Sequence, residues 1–486
     1  MPHSANAHTR DEGWRLTRLR LSHVWAMAAI ALPLLITIGA RMGSVDLTYH
    51  LRAGAMMLDS GALLRTDTFT FTAAGAPWVD QQWLGQVVLA WVFRAEGWLA
   101  LALMRALLAG IVLVSVHAAC RARGAAARPA AWLTLGSACL LLPTLQLRPQ
   151  LFGLACFALT LWLIAGRRNH RRRLWFMVPL VMLWANLHGT FVLAIGLIGL
   201  AWLDDIHDRD RGASRLVIVG LASIAATLVN PFGARVWLYV LELSGNPAVR
   251  QLVAEWQPTS IDSFSGAVFL VSDPVVALLL ARFRVRPAWP MLLALASFFL
   301  IGLLSVRGVY WWAMSVPVML AGTSVGRAMA QREDPVNAGN SLIVVILVVA
   351  LFASFGRWFP FRSADRLPTT LLTEAPMGIT HALRGTLAAG ERVFNAQAWG
   401  SWFEYALPDN PVAVDSRIEL IPASVWTRYA DVSNGRDGWQ RILGDWNVRV
   451  VAVHPVQQAQ LLGLISRDVG WTLAYRDADG AVFVRR

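Results

Sequence analysis

The chain has 486 residues, of which 56% are hydrophobic and only 15% are charged. A soluble protein of this size carries about 25% charged residues, so the composition excludes a soluble globule. All the basic residues are arginine, and the net charge is +13. The arginines fall in short clusters between apolar runs, the positive-inside pattern of membrane proteins, which excludes nucleic-acid binding as the reason for the charge. Cys120, Cys139 and Cys156 lie in or beside apolar runs with no CxxC pair, which excludes a disulfide framework.

Residues 1–22 carry Arg10, Arg15, Arg18 and Arg20 and read as a cytoplasmic tail. The apolar run 23–40 has no small-residue cleavage site behind it and reads as a retained first span. Residues 42–84, the first outer loop, are unlike their neighbours. They hold Asp46, Asp59, Asp67 and Asp80, with His50, Arg52 and Arg65. Asp46 and His50 are four apart and share one face of a short helix. Asp46 either faces a polar substrate at the water–lipid boundary or simply caps that helix.

The run 82–95 is short for a span and reads as re-entrant or interfacial. Residues 98–119 form a span that ends at the arginine cluster 121–128. Runs 130–147 and 151–165 make a hairpin with Arg148-Pro149-Gln150 at its tip. The cluster 167–173 is the strongest inside marker. Runs 174–187 and 190–203 make a second hairpin, turning at Asn186-Leu187-His188-Gly189. Run 216–229 leads to Asn230-Pro231-Phe232-Gly233 and a second outer loop, 231–265, with Trp237, Glu242, Glu255, Trp256 and Asp262. Runs 266–281, 288–304, 308–325 and 341–355 complete a transmembrane region over 23–357, with about 11–12 helices in all. The arginine clusters alone then bring Asp46, Arg148, His188, Asn230, Glu255 and Arg307 to one outer face, and several polar residues converging there point to a site.

Beyond a linker at 358–377 the composition changes, and residues 378–486 read as an extracytoplasmic α/β domain. Strands are expected at 392–395, 412–415 and 448–454, helices at 398–406, 422–432, 438–446 and 456–465, and a closing hairpin turns at Ala478-Asp479-Gly480. No GxGxxG loop is present, so no nucleotide site is expected.

Several short motifs run the length of the chain: Asp46 with His50 and Gly54; Asp67-Thr68-Phe69-Thr70 with Pro77-Trp78; Trp83-Leu84; Arg148-Pro149-Gln150; Trp184 to Gly189; Asn230 to Gly233; Glu255-Trp256-Gln257-Pro258; and Asp415-Ser416-Arg417 with Glu419. In these the chain resembles a bacterial branch of the GT-C membrane glycosyltransferases, which carry a key acidic residue just after the first span and a soluble domain after the last. The resemblance implies a polytopic protein of the bacterial inner membrane. It would transfer a sugar from a polyprenyl-phosphate donor to an envelope acceptor at the outer face. Asp46 would be the general base. Arg148 and Arg307, with His188 beside them, would hold the lipid phosphate. His50, Asp67 and Glu255 complete the expected substrate-binding set. Many members carry paired acidic residues in the first loop, whereas here Leu47-Thr48-Tyr49 follow Asp46. A divalent metal would therefore need Asp67, Asp80 or Glu255 as a second carboxylate, and no cofactor is assigned.

Each residue also has a plainer reading. Arg148 suits a snorkelling helix anchor, His188 a buried hydrogen-bonded histidine, and Glu255-Trp256 a loop cap beside an interfacial tryptophan. Trp78, Trp83 and Trp256 are able to stack on sugar rings. Two other functions stay open. One is a non-catalytic scaffold that binds envelope assembly proteins through the C-terminal domain. The other is a transporter or flippase, which the lack of internal repeats and of mid-span charges argues against.

Overall fold

The computed structural model describes residues 18–328 and 334–486; residues 1–17 of the expected tail lie outside the described residues. The helices of the first part are α1 (Leu21–Gly39), α2 (Leu47–Ser60), α3 (Trp83–Ala122), α4 (Ala127–Leu141), α5 (Pro149–Ala165), α6 (Met177–Leu187), α7 (Val192–His207), α8 (Ala213–Ala226), α9 (Arg235–Gly245), α10 (Pro247–Leu252), α11 (Phe264–Arg282), α12 (Trp289–Leu304), α13 (Gly308–Ala321), α14 (Ser324–Arg327) and α15 (Ala338–Ser354). Among the described residues five helical stretches are long and apolar enough to cross a membrane: Leu21–Gly39, Trp83–Ala122, Gly189–His207, Phe264–Arg282 and Ala338–Arg357. Pro149–Ala165, Ala213–Ala226, Trp289–Leu304 and Gly308–Ala321 are shorter apolar helices. The chain is a multi-pass membrane protein. Several hydrophobic runs are partly 3-10 helix, as at Leu142–Thr144 after α4 and Arg171–Phe176 before α6, so fewer long α-helices appear than apolar runs.

The expected segments 82–95 and 98–119 meet in α3, which breaks at Glu96 and Gly97. Gly97 has φ +57°, and a Cβ there would lie 2.8 Å from the Arg362 carbonyl oxygen. Glycine both permits the turn and admits the chain that descends from α15. Arg362 Nη2 then bonds Glu96 Oε1 at 2.9 Å, and Trp358 is buried. The segment expected as a slack linker is therefore packed against α3.

Helix α5 carries one polar layer at each end. Arg148 precedes its first turn, and Arg167 lies just past its last, with the 17-residue helix, roughly 25 Å long, between them. Beyond α5, Arg167 and Arg168 pair with Asp204 and Asp205, Arg168 with Asp208 and Arg171 with Asp210. This basic cluster is neutralised by the acidic residues of the last turn of α7 and the segment just beyond it. The layer at Arg148 forms the site described below.

The loop 231–265, expected on the outer side, is largely helical, holding α9, α10 and a 3-10 turn at Ala254–Trp256. The C-terminal part contains α16 (Met377–Thr386), α17 (Gln397–Ala406), α18 (Ala423–Ser433), α19 (Trp439–Asp445) and α20 (Ala459–Ile465). Its strands, numbered from the chain start, follow β1 (Leu19–Arg20), β2 (Met42–Gly43), β3 (Val336–Asn337) and β4 (Leu372–Thr373). They are β5 (Val393–Asn395), β6 (Val450–Val453), β7 (Trp471–Arg476) and β8 (Ala481–Arg485), in sheet order β5-β6-β8-β7. Strand β5 is parallel to β6, and the other pairings are antiparallel.

The strand expected at 412–415 is reduced to a bridge. Val412 pairs with Val393 of β5 on one side and with Thr70 of the first loop on the other. The extended run stops because the Asp415 carboxylate turns onto the Arg417 backbone N–H at 2.7 Å, a local bond that competes with the ladder. First loop and C-terminal sheet are thus one layer. Phe71 N–H donates to the Val412 carbonyl at 3.0 Å, and β2 pairs in parallel with β4.

Candidate active site

Asp46 occupies the N-cap position of α2, yet its side chain accepts no bond from the helix N–H groups. Its carboxylate turns instead to Arg148, whose Nη1 lies 2.8 Å from Asp46 Oδ2. The simple capping reading of Asp46 is therefore replaced by an ion pair. Arg148 sits just before α5, held there by Pro149 in the first helical turn. Its Nη2 bonds Glu255 Oε1, and its Nε is buried without a partner. Its guanidinium joins two carboxylates and does not reach for solvent, so the snorkelling reading does not describe it. Glu255 Oε2 in turn accepts from Arg307 Nε at 2.9 Å, and the Arg307 N–H donates to the Glu255 carbonyl at 3.0 Å. Arg307 lies 5.2 Å from the centre of the Trp256 ring. Its two terminal nitrogens bond nothing among the described residues.

The result is a four-membered chain, Asp46–Arg148–Glu255–Arg307, with side chains 19% to 27% exposed. Burial raises the Glu255 carboxyl, but Arg148 and Arg307 outweigh it and hold the group below the usual range. Burial works against the charged Arg148 guanidinium, but Glu255 and Asp46 prevail and hold it firmly protonated.

Two imidazoles face this chain. His188 follows α6 in extended backbone. Its Nδ1 accepts the Thr190 N–H at 3.3 Å and lies 2.9 Å from Thr190 Oγ1, which itself accepts from Trp184 Nε1 at 3.2 Å. With Nδ1 an acceptor, the neutral ring carries its proton on Nε2. A Cβ at Gly153 would come within 2.7 Å of Thr190 Oγ1 and 3.2 Å of His188 Nδ1, so glycine leaves space for this pair. His50 is 2% exposed, and its Nδ1 has no partner. Burial first, then Arg307 and Arg148, push His188 down to about 3. Burial, Arg148 and Arg417 push His50 well below its usual value. Both rings are neutral hydrogen-bonding groups at neutral pH.

These residues line a cavity of about 380 Å³, except that Asp67 does not reach it. Asp67 is buried. Its oxygens meet Arg417 at 2.7 Å and accept the Phe69 and Thr70 N–H groups at 3.2 and 3.1 Å and the Thr70 hydroxyl at 2.6 Å. Of the three tryptophans, only Trp256 lines the cavity. Trp83 donates to Asn186 at 3.1 Å, and Trp78 packs 4.7 Å from the Arg417 guanidinium. Asn230 folds its own turn, accepting the Phe232 N–H at 2.7 Å. Among the described residues no group of three or more His, Cys, Asp or Glu is arranged to hold a metal ion. Asp46 and Glu255 are committed to guanidinium groups, Asp67 to Arg417 and Asp80 to Gln86 at 2.8 Å, so the carboxylates do not gather as a metal would require.

The rest of the polar lining includes Tyr49 and Tyr239 with Gln397, Ser416 and Glu419 of the C-terminal domain. Ser416 and Glu419 stood out in the sequence only as part of a motif, and none of the five was expected at the site. The Asp-Ser-Arg-Ile-Glu motif marked this strand end, but no spacing rule in the sequence tied it to residues some 370 positions earlier.

No family model and no curated protein matches the chain. Among solved structures it is similar to ArnT from Cupriavidus metallidurans bound to undecaprenyl phosphate, with TM-score 0.52 and 14% identity over 94% of this chain and 97% of that one. It is also similar to the arabinofuranosyltransferase AftD from Mycobacteria, with TM-score 0.54 and 16% identity over 96% of this chain and 42% of that one. The chain thus spans less than half the length of AftD. The chain, a multi-pass helical bundle with a polar cavity lined in part by its α/β domain, shares the fold of ArnT and AftD along nearly its whole length, the architecture that the GT-C resemblance implied.

Proposed function

We propose that the protein transfers a sugar from a polyprenyl-phosphate donor to an envelope acceptor, on the outer face of the bacterial inner membrane. Its N-terminus would be cytoplasmic and its C-terminal domain extracytoplasmic. The observation that carries this reading is the Arg307 fork. Its Nε is anchored by Glu255 and its guanidinium carbon lies 5.2 Å from the centre of the Trp256 ring, while both terminal nitrogens are free among the described residues beside the cavity. A planar fork of that kind suits two phosphate oxygens. ArnT, a similar fold, binds undecaprenyl phosphate.

Asp46 keeps one oxygen on Arg148 and leaves Oδ1 without a partner among the described residues. That oxygen takes the acceptor hydroxyl proton as the acceptor oxygen bonds to the sugar C1. The bond from C1 to the phosphate oxygen breaks, and its electron pair stays on the lipid phosphate. Arg307 and Arg148 stabilise the charge that develops there. The neutral His188, with its proton on Nε2, adds a donor and no charge. The basic cluster at the opposite end of α5 supports the orientation.

The test is binding of undecaprenyl phosphate to the purified protein in detergent. Wild type is expected to bind and Asp46→Asn to bind as well. Arg307→Ala is expected to lose roughly tenfold or more, the scale of a charged hydrogen bond. No binding by wild type would remove the reading.

A further inference from the structure

The cavity has a second wall that phosphate chemistry does not use. Glu419 lines it from the C-terminal domain. Its Oε1 accepts the Tyr239 hydroxyl of α9 at 3.1 Å, and no other side chain donates to its carboxyl among the described residues. Gln397 lines the same wall. Its Nε2 donates to the Asp415 carbonyl at 3.1 Å, which leaves its Oε1 without a donor among the described residues. Ser416 lies between them, its hydroxyl 3.0 Å from Ser401 Oγ and 3.2 Å from the Val45 carbonyl. The wall therefore offers oxygens with open lone pairs, held in place from behind. It borders the same cavity as Arg148 and Arg307.

Open acceptors in a partly enclosed cavity call for a ligand rich in O–H donors, because a buried acceptor left unpaired costs free energy. A phosphate oxygen cannot serve them, and neither can a lipid chain. We propose that Glu419 and Gln397, presented by the C-terminal domain, bind the hydroxyl groups of a sugar ring whose anomeric end lies toward Asp46 and Arg307. The α/β domain is then half of the substrate site. This inference rests on the transferase reading. The ring has two sources, the donor sugar or the terminal residue of the acceptor glycan, and the experiment separates them.

The experiment uses the full chain in detergent. Binding of undecaprenyl phosphate is compared with binding of undecaprenyl-phosphate glucose, mannose and 4-amino-4-deoxyarabinose, for wild type, Glu419→Gln and Gln397→Ala. The variants are expected to bind bare undecaprenyl phosphate within about twofold of wild type, which also shows that they fold. If the ring is the donor's, both variants bind the preferred lipid-linked sugar about tenfold more weakly. If it is the acceptor's, donor affinity holds and the KM for an envelope oligosaccharide acceptor rises by a similar factor. Variants that change neither quantity overturn the inference while the transferase reading stands. Wild type that fails to bind undecaprenyl phosphate overturns the transferase reading itself.

Discussion

Two arginine–carboxylate clusters lie within one layer of this molecule, and their differences separate a site from a structural tie. In the cavity, Arg148 and Arg307 alternate with Asp46 and Glu255, all about a fifth to a quarter exposed, with guanidinium nitrogens and a carboxylate oxygen left open. The second cluster is centred on Arg417, 2% exposed, which bonds Asp415 and Asp67 and lies 3.6 Å from Glu404. Its guanidinium is sandwiched within 4.7 Å of the Phe69 and Trp78 rings and 5.5 Å of Tyr49. Burial drives the Glu404 carboxyl well up, and the neighbouring Asp415 adds to this, which eases the crowding of three carboxyls around one guanidinium. The residue types are the same. Arg417 borders the same cavity, but burial differs, 2% exposed against 19% to 27% for the other four side chains, and with it the role. The cavity cluster has places for a ligand, while the Arg417 cluster ties the first loop to the C-terminal domain.

Four substitutions bear on this difference, from the largest effect to the smallest. The largest effect is expected from Arg417→Ala, which leaves Asp67 and Asp415 buried without their cation. Loss of one partner of a buried pair costs about 3–5 kcal/mol. A large fall in the melting temperature of the detergent-solubilised protein is expected, and an unchanged melting curve would show that the buried cluster is not a tie. Asp46→Asn should do the reverse. Transfer falls by roughly 10²–10⁴-fold, the scale of a lost general base, while melting temperature barely moves. Undiminished transfer would remove Asp46 as the base.

A smaller effect is expected at Asp80, between the two clusters. Burial pushes its carboxyl up to about 8, against the lowering pull of Arg417. The folded state holds this proton after the unfolded chain has lost it. Its stabilisation is therefore full below about pH 4 and is lost as pH rises through about 8. Asp80→Asn keeps an acceptor for Gln86 and removes the titration, so melting temperature should fall less between pH 5 and pH 8.5 than in wild type. Equal slopes would contradict this. The smallest effect belongs to Arg94, whose exposed pair with Asp59 at 2.7 Å is worth about 0.2–1 kcal/mol at most. Arg94→Ala should shift the melting curve by a degree or two and only at low salt.

Much of the membrane architecture was legible in the sequence because charge and hydrophobicity act locally. The arginine clusters set the ends of the spans, and that alone brought Asp46, Arg148, His188, Glu255 and Arg307 to one face. The strands β5 to β8 read from short apolar runs rich in β-branched and aromatic residues. What was illegible depends on contacts far apart in sequence. Val412 bridges to Thr70, and Arg417 pairs with Asp67, across roughly 340 to 350 positions, and neither carries a periodic signal. Asp67 therefore looked like a site residue, its composition and spacing being those of one. Only the fold shows that its oxygens are spent on Arg417 and the Thr70 turn. Glu419 was the converse: part of a motif at a strand end, it becomes a cavity residue only when Tyr239 of the second outer loop closes over it.

The most direct measurement is a structure of the protein with undecaprenyl phosphate bound. The phosphate is expected within hydrogen-bond distance of the free Arg307 nitrogens, with Asp46 Oδ1 still open toward the cavity. A phosphate bound away from Arg307, or a cavity that excludes the lipid headgroup, would contradict the account.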